Sequence, residues 1–128
     1  MPILHVRALP QTESEHIKVA LEKACLAISN ELGCDLDKVW ATWEELKPGY
    51  YIEGKESRDV QGRDSHPPIC ELKCFEGMSA EKIDSLLIAV SRALSEGLGC
   101  EGNLFVSFHE IKSGHAIAGT NIVKKKAA

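Results

Sequence analysis

The chemistry available to this chain of 128 residues lies in five cysteines, five histidines, two arginines in a polar loop, and a proline at position 2. The closest-spaced cysteines are Cys70 and Cys74. On a strand they would share a face but stand ~13 Å apart at ~3.3 Å per residue, too far to hold one ion. The cysteine count is odd, and Cys25, Cys34, Cys70, Cys74 and Cys100 contain no C-x-x-C pair. They read as reduced thiols serving as small core residues, as expected of a cytoplasmic protein, with no metal site. By strand alternation His109 shares a face with Phe105 and Ser107, which gives it a packing or an orienting role. Arg58 and Arg63 lie in a polar stretch, where a charged side chain is ordinarily solvated or folds over a neighbouring pocket. Pro2, taken alone, is a residue suited to the first position of a strand.

These residues need elements to hold them. Around Pro2, Leu4, Val6 and Ala8 alternate with Ile3, His5 and Arg7, which predicts a strand near 2–9. Thr12 stands three residues before Glu15, the spacing of a capping box. Ile17, Ala20, Leu21, Ala24, Ile28 and Leu32 then follow at helical spacing, and Gly33 supplies a stop. A helix is predicted near 13–32. Residues 39–46 are rich in Val, Trp and Thr and predict a second strand, on which Trp40 and Trp43 face opposite ways. A polar stretch with Pro48, Gly49, Gly54 and Gly62 runs to Pro67 and Pro68 and reads as a long connection. Strand, helix and strand follow again near 69–75, 79–98 and 104–111, with Ser79 as cap, Gly99 as stop, and Leu104, Val106 and Phe108 on one face.

The second half repeats the first in residues as well as in pattern. At an offset of 66, Pro2-Ile3 matches Pro68-Ile69, Ile17 matches Ile83, and Leu21 matches Leu87. The same offset pairs Leu32-Gly33-Cys34 with Leu98-Gly99-Cys100. One residue is then lost: Glu45-Leu46-Lys47 meets Glu110-Ile111-Lys112, and Gly54 meets Gly119. A unit this short is too small to be comfortable alone. Two units, 2–54 and 68–119, joined by an inserted loop at 55–67, therefore predict one α+β domain over 1–128. Its tandem βαβ-βαβ order should give a four-stranded sheet with both helices on one face. The other face would carry Ile3, His5, Arg7, Trp40, Ile69, Phe105 and Ser107, a mixture that calls for a cover, and another copy of the chain is the simplest one.

Composition removes several classes of function. With 15 Lys+Arg against 19 Asp+Glu the net charge is −4, which argues against nucleic-acid binding, and the short Lys124–Lys126 run reads as a solvated tail. No apolar run approaches the ~20 residues that cross a bilayer, so no membrane partner is expected.

A βαβ repeat of this length opening with Met-Pro-Ile resembles the tautomerase superfamily, typified by the single-unit 4-oxalocrotonate tautomerase and the two-unit macrophage migration inhibitory factor. The resemblance covers the chain apart from the insert and the Lys-rich tail. It rests on Pro2 and on a second-strand ending that appears twice, as Glu45-Leu46-Lys47-Pro48-Gly49-Tyr50-Tyr51 and as Glu110-Ile111-Lys112-Ser113-Gly114-His115-Ala116. The run Phe75-Glu76-Gly77-Met78-Ser79 is similar to the family's passage from strand to helix, Glu-Gly-Arg-Ser. The resemblance implies a cofactor-free isomerase, assembled as a homotrimer, with Pro2 as general base on a small-molecule enol or 2-oxo acid. It implies substrate-binding positions at Trp40, Tyr51, Phe105 and Ser107, to which strand alternation adds His109, and a structural loop position at His115.

Departures from the family narrow the expectation. The arginines of the 4-oxalocrotonate tautomerase pattern are replaced by Thr12 and Met78 where the helices start and by Trp40 and Phe105 on the strands. A more apolar pocket is expected, better suited to aryl or monocarboxylate enols than to diacids, with Arg58 or Arg63 available as a cation. Pro68 copies Pro2 but carries an amide nitrogen, so one competent site per chain is expected. The alternatives are a catalytically silent binding protein of the same fold, or a hydratase or decarboxylase relative.

Overall fold

The computed structural model describes residues 1–124. Strand β1 (Ile3–Ala8) leads to helix α1 (Glu15–Leu32), a 3-10 turn (Leu36–Lys38), strand β2 (Trp40–Glu45), and a small hairpin, β3 (Ile52–Glu53) with β4 (Glu56–Ser57). The order then recurs as β5 (Ile69–Phe75), α2 (Ala80–Leu98), β6 (Phe105–Ile111) and a hairpin of β7 (Ala116–Ala118) with β8 (Asn121–Val123). The main sheet runs β2-β1-β5-β6. Pairing is parallel within each βαβ unit, β1 with β2 and β5 with β6, and antiparallel between units, β1 with β5. This is the predicted α+β arrangement, and the four strands of the main sheet and both helices fall within or at the edge of their predicted spans, while the two small hairpins had no predicted span.

The core lies between sheet and helices. Leu4, Val6, Cys70 and Leu72 of the central strands are fully buried against Ala20, Ala24 and Ile28 of α1 and Leu86, Val90 and Leu94 of α2. Two positions from the sequence pattern hold as drawn: Trp43 packs on this core while Trp40 stands on the other face, 46 % exposed. The helices approach closely where Gly97 meets Ala20; a Cβ at Gly97 would come within 2.4 Å of the Ala20 Cα. Both helices end on a left-handed glycine, Gly33 (φ 64) and Gly99 (φ 69), whose amides donate to Ser29 and Ser95 carbonyls.

The helix starts differ from each other and, in one case, from expectation. Ser79 caps α2, its hydroxyl accepting the Lys82 amide at 3.1 Å. At α1 the capping box on Thr12 does not form. The helix begins at Glu15, and Ser14 at the cap has helical backbone and no side-chain cap bond. Backbone carbonyls of Glu13 and Ser14 take the His16 and Ile17 amides in a tight turn, and Glu13 pairs with His16 at 2.8 Å.

The insert is ordered around one buried side chain. His66 is fully buried, with φ 50. Its Nε2 donates to the Glu56 carbonyl at 2.8 Å, its Nδ1 meets Ser65 Oγ at 2.9 Å, and Tyr51 packs edge-on against the ring at 5.0 Å. Gln61 and Asn103 tie this loop to the exit of β1 and the approach to β6: the Gln61 amide donates to the Pro10 carbonyl, and Asn103 Nδ2 donates to the carbonyls of Gly62 and Ser65. A stretch expected as a plain connection is thus a packed cap on one end of the sheet.

Candidate active site

The site is built from the start of β1. Pro2 is buried, and its carbonyl accepts the Trp40 amide at 3.0 Å, so β2 begins where β1 begins. Pro68 is its image: buried, with its carbonyl accepting the Phe105 amide at 3.0 Å. Because β1 and β5 run antiparallel, the two prolines sit at opposite ends of the sheet. Continuing the β1–β5 register one step beyond Ile3↔Lys73 sets Pro2 across from Cys74. Burial pushes the Cys74 thiol up to about 11, with the positive charge of the chain's N-terminus pulling the other way.

On the face away from the helices three rows cross the sheet. Trp40, Ile3, Lys73 and His109 form the row nearest Pro2. Thr42, His5, Glu71 and Ser107 form the next, and Glu44, Arg7, Ile69 and Phe105 the one nearest Pro68. The middle of this face is a polar lattice. His5 Nδ1 lies 2.5 Å from Thr42 Oγ1, and Arg7 reaches Glu44 and Glu71, each at 3.4 Å. Ser107 Oγ lies 2.8 Å from His109 Nε2. Two opposite corners of the face are apolar, with Trp40 and Ile3 at one and Ile69 and Phe105 at the other.

Within one chain the expected site residues therefore divide. Trp40 is beside Pro2, and His109 is in its row. Phe105 and Ser107 lie toward Pro68. Tyr51 is there too: its hydroxyl donates to the Pro67 carbonyl at 2.7 Å. Arg58 donates to the Val60 carbonyl at 3.3 Å. Arg63 lines a polar pocket of about 460 Å³ with Gln11, Thr12, Gln61, Cys100 and Glu101. The insert thus folds over the Pro68 end, and neither arginine reaches Pro2 of its own chain. His115 sits in the turn before β7, its amide donating to the Lys112 carbonyl. Met78, at the start of the second helix, packs on the core.

That Lys73, Cys74 and Phe75 stand at the Pro2 end was not read from the sequence. The antiparallel meeting of the two βαβ units, which sets the start of one first strand against the end of the other, placed them there. Elsewhere, an apolar groove of about 670 Å³ runs between α1 and β2 past Leu21, Cys25, Leu26, Val39 and Ala41. Its repeat image lies between α2 and β6 past Leu87, Ser91, Arg92, Leu104 and Val106. Neither groove includes Pro2.

The backbone decides the comparison with known proteins. The chain has the tautomerase-superfamily fold. It superposes on a protein solved after inactivation by 2-oxo-3-pentynoate with a TM-score of 0.80 at 20% identity, covering 95% of this chain and 94% of that one. A fused 4-OT described as a symmetric trimer gives 0.78 at 19% identity, with 94% of each chain covered. Macrophage migration inhibitory factor of Toxoplasma gondii gives 0.67 at 16% identity over 91% of this chain and 96% of that one. No family model and no curated protein sequence matches. At such identities the shared property is the fold.

Proposed function

We propose that the protein is a cofactor-free tautomerase in which Pro2, freed of Met1, is the general base. The observation that carries this reading is the position of Pro2: buried, at the head of a central strand, in the fold of a protein that 2-oxo-3-pentynoate inactivates. While Met1 is attached the Pro2 nitrogen is an amide and has no basicity. Once exposed by removal of Met1 it is a secondary amine among apolar groups, where desolvation disfavours the ammonium form. A neutral amine takes the hydroxyl proton of an enol, and the ammonium so formed returns a proton to carbon, giving the keto form with no co-reactant.

The rest of the site comes from the assembly. Trp40 and His109 reach the Pro2 end from the same chain, whereas Tyr51, Phe105 and Ser107 reach it from a neighbouring copy in a homotrimer. The half-apolar sheet face and the trimeric state described for the fused 4-OT support that assembly. All five cysteines are free, which fits a reducing cytoplasm. No helix among the described residues is long and apolar enough to cross a membrane. The substrate is an aryl or monocarboxylate enol, because apolar Trp40 and Phe105 stand where diacid-handling relatives place arginines.

The test is enol-to-keto conversion by protein shown by intact mass to lack Met1, with Pro2→Ala as control. Loss of a proton-transfer base lowers turnover by on the order of 10²-fold. Equal rates would remove Pro2 from the mechanism. The second reading, a ligand-binding protein without chemistry, is favoured if Met1 is found intact on protein from its native host.

A further inference from the structure

The face that carries the Pro2 row holds two side chains of fixed positive charge, Arg7 and Lys73. Arg7 is already committed, to Glu44 and to Glu71. Lys73 is exposed and takes part in no ion pair among the described residues. Its cross-strand partners are Ile3, the residue after Pro2, and His109. It lies one residue along and one strand across from Pro2, a diagonal of roughly 6 Å between backbones at standard strand rise and spacing. A lysine stem spans a comparable distance, and its three donors rotate freely. In the same row, Ile3 is the neighbour of Lys73 across the strand pair and Trp40 lies one strand further, both apolar.

We propose that Lys73 is the carboxylate anchor of the Pro2 site and makes it selective for substrates with a single carboxylate next to the enol. The proposal rests on the reading of Pro2 as base and names the substrate class of that site. Lys73 occupies none of the positions, Thr12, Met78, Trp40 and Phe105, at which the family pattern would put a cation, so the grip comes from a different strand. One cation serves one carboxylate. A second carboxylate on the substrate would be placed against Trp40 and Ile3 without a partner, which is costly. An aryl group in the same place gains contact instead.

The experiment compares wild type, Lys73→Met and Lys73→Arg, all lacking Met1, on the enol of an arylpyruvate and on the enol of its methyl ester. Losing a charge-assisted hydrogen bond raises KM for the acid by about 10- to 100-fold. The expected kcat changes by only a few-fold, the KM for the ester does not move, and Lys73→Arg keeps most of the affinity. Unchanged KM for the acid in Lys73→Met, or an equal rise for acid and ester, overturns the proposal. So does a loss of trimer in Lys73→Met with KM unaltered, which would make Lys73 an intersubunit ion-pair residue. If the wild type converts neither enol, the base reading of Pro2 fails. Calorimetric binding of the arylpyruvate to wild type and Lys73→Met then decides on Lys73 alone: weaker binding to the variant upholds the anchor, and equal or no binding overturns it.

Discussion

Cys70 and Cys74 show how a potentially reactive side chain is assigned by its surroundings. Both point into the core, and burial pushes the Cys70 thiol up to about 12 and the Cys74 thiol up to about 11, from an ordinary 9.0. The thiolate is the reactive form, so in folded protein near pH 8 these two resist alkylation. Mass spectrometry after brief iodoacetamide treatment is expected to find label on half-buried Cys25, Cys34 or Cys100 before either of them. The same shifts set a pH dependence. The unfolded chain releases these thiol protons near pH 9, while the folded chain holds them longer, so folding stability is fully retained below about pH 9 and falls as pH rises toward 11 and 12. Urea midpoints that stay level from pH 9 to 11 would contradict the burial of these thiols.

The two helices are repeat copies that start in different ways. At α2 the Ser79 hydroxyl satisfies an end amide; at α1 the corresponding work is done by backbone carbonyls and Thr12 is left in the loop. Ser79→Ala is therefore expected to cost about 1 kcal/mol in denaturant titration. Thr12→Ala, at the position where the capping-box spacing was read, is expected to change stability by less than about 0.5 kcal/mol, as for an ordinary surface site. Equal losses would mean that Thr12 caps its helix after all. The insert between the repeats has no copy in the second half. Its order depends on His66, whose two ring nitrogens and edge are all in contact with neighbours, and it commits Tyr51 to the Pro68 end of its own chain.

For the whole molecule, the sheet face opposite the helices remains to be covered. Phe105 is 58 % exposed on it and Trp40 46 %, and large apolar groups clustered on such a face favour association. Sedimentation at micromolar concentration is expected to show a trimer. Phe105→Asp changes a side chain that the single chain leaves in water, so the fold should survive, by circular dichroism, while the trimer dissociates. A wild type found only as monomer would remove the neighbour's Tyr51, Phe105 and Ser107 from the site.

The order and kind of the main elements were legible because their causes are local. Period-two alternation at Leu4, Val6 and Ala8, helical spacing from Ile17 to Leu32, and Gly33 and Gly99 as stops act over a few residues. The offset repeat then carried one half's reading to the other. Trp40 and Trp43 were assigned to opposite faces by counting alone. What the tertiary structure decided depends on which strand meets which, and in what direction. The antiparallel meeting of β1 and β5 sets Lys73 and Cys74 beside Pro2 and sends Tyr51 and Phe105 to the far end. No spacing within either repeat contains that information, because it follows from how two half-buried units cover each other's edges. The burial of His66 has the same origin, whereas at Thr12 a local backbone turn through Glu13 and Ser14 stands where the capping box was read.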